Sequence, residues 1–192
     1  MLETLLQLDR QLFLFINGLH HPLLDPVMVF ISGKLSWLPL YVFLLFLIVR
    51  QFKWQAVLVM IFVAVLISLS DQASVKAFKF VFERPRPCHE ADLQPLIHLA
   101  AGRCGGAFGF VSSHAANSFA LATFIWLLLR QHFYWVSYLM FSYAVVVSYS
   151  RVYLGVHYPG DIIGGALLGM ASGWLVYAVY QLWNRRICRQ SC

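Results

Sequence analysis

Apolar residues run through this chain in long blocks, with polar residues gathered between them. A helix needs roughly 20 apolar residues to cross the hydrocarbon core of a bilayer. Five stretches meet or approach that length: 26–49, 54–76, 112–129, 133–149 and 162–183. The first is interrupted by Lys34, a cation that either snorkels to the membrane surface or faces the protein interior. Ahead of them, Leu5, Leu8, Leu12, Phe15, Ile16 and Leu19 recur every three to four residues, as on one face of a helix. Residues 1–22 are therefore expected to form an amphipathic helix, lying at the membrane surface or packed on the protein itself. A sixth span built from this segment would be short and would carry Asp9 and Arg10. Without a basic start or a small-residue cleavage site, the segment does not match a cleavable signal peptide. The expected fold is all-α: a polytopic membrane helix bundle of five to six transmembrane helices, residues 1–192 forming one domain with an N-terminal interfacial helix.

Composition supports this. Of 192 residues, 60% are apolar and only 11% charged, against about 25% charged in soluble domains. The net charge of +6 is not gathered into a basic stripe with interleaved aromatics, so no nucleic-acid partner is expected. The charges orient the bundle instead. The connections after the first and third spans, and the tail at 184–192, contain Arg50, Lys53, Arg130, Arg185, Arg186 and Arg189 and no acid. All eight acidic residues lie on the other side, or in the half of a span nearest it. Positive-inside logic makes the basic face cytoplasmic.

Three polar clusters then fall together on the outer face. Lys79 and the Arg84-Pro85-Arg86-Pro87 run follow the second span, Ser112-Ser113-His114 opens the third, and Ser150-Arg151, His157 and Asp161 lie between the fourth and fifth. Cleaving a phosphate ester requires neutralising the phosphoryl oxygens, presenting a nucleophile and protonating the leaving group. Lys79, Arg86 and Arg151 supply cations, and arginines offer forked donors to phosphoryl oxygens. The prolines keep the segment extended, which aims Arg86 and leaves Arg84 pointing roughly the other way, in support. Ser112 and Ser113 stand where a helix starts, with outward N–H groups that favour an anion, and Pro159 marks a second helix start on the same face. Four residues separate His157 from Asp161, so one helical turn places the carboxylate beside the imidazole. The carboxylate can hold one ring nitrogen protonated and leave the other to attack. His114 is then the group that protonates the leaving oxygen and later activates water. Taken singly, each cluster also has a plain reading: headgroup contact, a capping serine, a structural His–Asp pair. A metal held by His114, His157 and Asp161 is opposed by the flanking cations.

The pattern Lys79-x6-Arg86-Pro87, Ser112-Ser113-His114 and Ser150-Arg151-x5-His157-x3-Asp161 resembles that of the type 2 phosphatidic acid phosphatase family, from about Lys79 to Asp161. The resemblance implies a helical bundle, a phosphohistidine intermediate and no metal or other cofactor. Carried across, His157 is the nucleophile, Asp161 its orienting acid and His114 the general acid. Lys79, Arg86, Ser112, Ser113 and Arg151 bind the phosphate. The second motif departs from the family's Pro-Ser-Gly-His, with Val111 for proline and Ser113 for glycine, so local geometry is expected to adjust. Soluble haloperoxidases share the constellation, but the apolar spans argue against them.

The expected activity is a lipid phosphatase of a bacterial inner membrane with its site facing the periplasm. Undecaprenyl diphosphate is the first candidate; phosphatidylglycerol phosphate, phosphatidic acid and lipid A are the alternatives. The rival class is a non-catalytic lipid-phosphate binder or transporter. Membrane lipids are the other expected partners, and the sequence specifies no oligomeric state. Residues 88–110 form an outer-face loop in which Cys88 and Cys104, on the oxidising side, are a candidate disulfide. Cys188 and Cys192 lie in the tail, across the membrane from that pair. Gly165, Gly169 and Gly173, four residues apart, favour close helix packing. Asp71, inside the second span, is a functional candidate or a partner for Lys76, and His20-His21 is placed at the interface.

Overall fold

A computed structural model, which describes residues 2–190, is built from helices, with one isolated β-bridge between Pro85 and Phe108 among the described residues. The N-terminal stripe forms α1 (Leu2–Gly18). The first apolar stretch is not one helix. It splits into α2 (Asp25–Ser32) and α3 (Leu38–Phe52), joined by a 3-10 turn at Leu35–Trp37. Lys34 sits at this break, so its charge does not interrupt a continuous helical face. At Lys53 the backbone enters positive φ (+49°) and the chain reverses into α4 (Ala56–Gln72).

The second stretch runs past its expected end at residue 76. A π-helical segment, Ala73–Lys79, carries it into a last turn, α5 (Phe80–Phe82), and Glu83 ends it in the left-handed conformation. Lys79 is therefore mounted on a helix, whereas the sequence places it in the following loop. After the loop come α6 (Ser113–Leu129), α7 (Val136–Tyr153) and α8 (Pro159–Gln190). The tail expected from residue 184 is a continuation of α8 as far as Gln190; Met1 and residues 191–192, with Cys192, lie outside the described residues.

The helices α3, α4, α6, α7 and α8 form the bundle. Leu44, Ile48, Val59, Leu66, Phe124 and Met140 are among its buried core residues. Helices α6 and α8 make its closest seam. A Cβ on Gly165 would lie 2.6 Å from the Ser112 carbonyl oxygen, one on Gly173 2.6 Å from that of Ala120, and one on Gly169 would overlap that of Ala116. The four-residue glycine spacing thus lets two backbones touch. The outer surface is apolar: Phe46, Val57, Ile61, Leu167, Trp174 and Leu182 are exposed, the pattern of a surface that meets lipid. Among the described residues, two helical stretches are long and apolar enough to cross a membrane, Leu35–Phe82 and Pro159–Arg185, with Ser113–Leu129 as a shorter apolar helix.

The connections fall at two ends. Phe52 stacks edge-on against His132, which places the turns at 53–55 and 130–135 together. The other end holds the loop from Glu83 to Ser112 and the tight turn at 154–158, made by Gly155 at φ +77°. Helix α1 closes this second end: Phe13 is fully buried against Tyr158. Buried Asn17 bridges the carbonyls of His98 and Tyr153 and accepts the His98 N–H. His20, expected at the lipid interface, stacks on His98 at 3.9 Å.

Candidate active site

The site lies at the end covered by α1, where the starts of α6 and α8 meet. Ser112 is the N-cap of α6. Its Oγ accepts from the Ala115 N–H, and its own N–H donates to the Asp161 carbonyl at 3.0 Å, tying the two helix starts together. The next N–H groups, of Ser113 and His114, have no acceptor within the helix and present a positive helix end.

At the start of α8, Asp161 is fully buried and its carboxylate is saturated by donors. Oδ2 lies 3.2 Å from His157 Nδ1 and accepts the Tyr158 N–H at 3.0 Å; Oδ1 accepts from Arg84 at 3.1 Å. His157 is 1% exposed. Burial, then the charges of Arg86, Arg151 and Lys79, hold its pKa well below the ordinary 6.5. The tautomer with its proton on Nδ1, beside Asp161 Oδ2, is the one that leaves a lone pair on Nε2.

Arg84 is committed elsewhere than to a substrate. It bridges Asp161 and Asp9 of α1, which is 2.7 Å away, and lies 4.1 Å over the Tyr158 ring. Asp9 also accepts the Gly160 N–H at 2.7 Å. The sequence marks Arg84 as supporting but gives no sign of Asp9, 75 residues away; only the folding back of α1 reveals it.

The three cations expected at a phosphate are brought around His157. Arg86 is 8% exposed and is braced by the Phe108 carbonyl at 3.2 Å and that of Cys104 at 3.4 Å. Arg151 donates to Ser32 of α2, and its buried Nε has no partner among the described residues. Lys79 donates to Ser113 Oγ at 2.8 Å, and Ser74 Oγ is 2.7 Å from the same hydroxyl. None of the three forms an ion pair with a described carboxylate. Burying unpaired cations is costly, so the cluster suits an anion. Ser112, fully buried, contributes its cap and backbone, while the Ser113 hydroxyl links α6 to the π-helical turn. That link occupies the position of the family's glycine.

His114 is half-buried and lies within electrostatic range of Arg151, His157, Lys34 and Lys79. It faces a cavity of about 430 Å³ that runs between α3, α4, α6 and α7, from Ser113 and Lys34 to Ile48 and Ile125. Loop 88–110 folds over the other side, where Cys88 and Cys104 are joined by a disulfide with Cα atoms 5.9 Å apart. These sulfurs and His89 form the one His/Cys/Asp/Glu group among the described residues with metal-ligand spacing, and the two sulfurs are already bonded to each other.

The PAP2 superfamily model matches residues 64–185, which hold every one of these motifs. The chain is similar to a lipid A 4'-phosphatase of Bacteroides thetaiotaomicron, with 40% identity over 181 residues, covering 93% of this chain and 80% of that protein. A lipid A 4'-phosphatase of Porphyromonas gingivalis is 36% identical over 192 residues, covering all of this chain and 80% of its own. Among solved structures, the transmembrane PAP2-type phosphatidylglycerolphosphate phosphatase of Bacillus subtilis superposes with a TM-score of 0.69 at 25% identity, over 93% of this chain and 87% of that one.

Proposed function

Because this chain belongs to the PAP2 superfamily and is a membrane lipid phosphatase, we propose that it hydrolyses a lipid phosphate monoester through a phosphohistidine at His157, without a metal. The observation that carries this reading is the placement of Lys79, Arg86 and Arg151, none in an ion pair with a described carboxylate, around a buried imidazole backed by Asp161. The cations and the α6 N–H groups hold the phosphoryl oxygens. Nε2 of His157 attacks phosphorus, the bond to the ester oxygen breaks, and His114 gives its proton to that oxygen. Water, deprotonated by His114, then attacks the phosphohistidine, releasing phosphate and restoring the imidazole. Asp161 keeps Nδ1 protonated and stabilises the charge that develops on the ring. The same cations would repel a divalent ion.

The substrate proposed first is the phosphate of lipid A or a similar glycolipid, ahead of undecaprenyl diphosphate. The two relatives matched along nearly the whole chain carry the lipid A 4'-phosphatase name. The bundle is read as a single membrane domain of five to six spans, with the covered end and its 88–110 loop facing the periplasm and the basic end cytoplasmic.

The test is phosphate release in detergent with EDTA present, from lipid A, undecaprenyl diphosphate, phosphatidylglycerol phosphate and phosphatidic acid. Wild type is expected to release phosphate fastest from lipid A, and His157→Ala to abolish release. Release that requires added metal, or that persists in His157→Ala, would sink the mechanism. Binding without release would favour the binder or transporter.

A further inference from the structure

The cavity beside His114 is not uniformly apolar. Its deep walls are Leu44, Ile48, Val63 and Ile125, but the layer next to the catalytic end carries Asp71 and Asn117. Asn117 lies one helical turn beyond Ser113 and His114 on α6. Asp71 lies one turn before Ser74, whose hydroxyl meets that of Ser113. Asn117 Nδ2 donates to Asp71 Oδ1 at 3.2 Å, which fixes the orientation of the amide. Its carbonyl oxygen Oδ1 is buried and accepts no hydrogen bond from a described residue. Asp71 forms no ion pair with Lys76 or any other described cation. An orphan amide oxygen and a carboxylate without an ion pair, on two residues that line a cavity inside a membrane bundle, are costly unless something donates to them.

Resting on the phosphatase reading, we propose that Asp71 and Asn117 form an alcohol-side subsite that accepts hydrogen bonds from hydroxyl or amide N–H groups on the leaving group. The position follows from the chemistry: His114 must reach the ester oxygen, and His114 lines this cavity, so the departing alcohol lies where the cavity begins. A sugar-borne phosphate has hydroxyl and acylamino groups one or two carbons from its ester oxygen, and its acyl chains can follow the apolar walls. A phosphate attached directly to a prenyl or alkyl chain would bring methylenes against this pair and offer it no donor. The pair therefore selects for hydroxylated or amide-bearing alcohols, and it does so mainly by rejecting hydrocarbon alcohols.

The experiment compares kcat/KM for two substrates, a lipid A-type glucosamine phosphate lipid and dodecyl phosphate, in wild type, Asn117→Leu, Asp71→Asn and His157→Ala. Thermal unfolding in detergent is followed for each. Wild type should favour the glucosamine lipid, and Asn117→Leu should lower the ratio of the two kcat/KM values by about tenfold, the worth of one such hydrogen bond. Asp71→Asn, which keeps the shape, should lower it less. An unchanged ratio, with both substrates slowed together or neither slowed, would overturn the subsite while leaving the phosphatase reading standing. Absence of His157-dependent release from either substrate would remove the phosphatase reading and the subsite with it. If Asn117→Leu fails to fold, the ratio in Asp71→Asn decides alone.

Discussion

Gly109 is the residue on which the geometry of the proposed nucleophile, His157, most narrowly depends. A Cβ there would lie 2.9 Å from Asp161 Oδ2 and 3.3 Å from Arg86 Cγ. Those two groups orient the imidazole and bind phosphate in the proposed mechanism, and both are buried. Gly109→Ala must therefore displace one of them. A misplacement of about 1 Å costs on the order of a hundredfold in rate, so kcat is expected to fall roughly ten- to a hundredfold while the helix content stays at the wild-type level. Kinetics beside circular dichroism would check it, and a wild-type kcat would mean the loop yields without moving Asp161. Nothing in the sequence identifies Gly109 among the four loop glycines, because the clearance arises only when Gly109 N–H pairs back to the Arg84 carbonyl. His157 and Asp161 were legible for the opposite reason: one helical turn joins them, and local spacing is what a sequence displays.

Elements contribute a second kind of precision. The α6–α8 seam holds the two helix starts in register, and its glycine period was visible because helix packing follows a fixed repeat. Helix α1 was visible as an amphipathic stripe, but its role was not. Asp9 ties the Arg84 guanidinium and the Gly160 N–H to α1, and Arg84 in turn holds Asp161. The helix therefore acts as a strap across the support of His157, through contacts 75 and 151 residues apart. Asp9→Ala would leave Gly160 N–H without its acceptor and Arg84 with Asp161 alone, drawing that carboxylate away from His157. The expected result is a fall in kcat of about tenfold, the scale of one charge-assisted hydrogen bond, with KM little changed. Asp9→Asn, which still accepts from Gly160, should recover part of the loss. A rise in KM with kcat intact would instead place Asp9 in substrate contact and overturn the positioning role.

For the molecule as a whole, the apolar blocks predict an all-helical bundle, and two of the helices break or end elsewhere than those blocks do. The break at Lys34 is closed locally, Trp37 Nε1 donating to the Ile31 carbonyl six residues earlier, whereas the π-helical extension to Lys79 meets a distant helix, Ser74 contacting Ser113 of α6. Charge is the one global signal that needs no partners. The end bearing the 53–55 and 130–135 turns contains Lys53 and Arg130 and no acid, whereas the covered end contains Asp9, Glu83, Glu90 and Asp92. If that asymmetry sets orientation, Trp54, 91% exposed at one end, and Leu96, 63% exposed at the other, face opposite compartments. Single cysteines at these sites, Trp54→Cys and Leu96→Cys, can be placed in a Cys188→Ser, Cys192→Ser background that retains the Cys88–Cys104 disulfide. In intact spheroplasts an impermeant thiol reagent should label position 96 at once and position 54 only after lysis. The reverse order would put the catalytic end in the cytoplasm, where a phosphatase would meet lipid phosphates at the inner leaflet, before they cross the membrane.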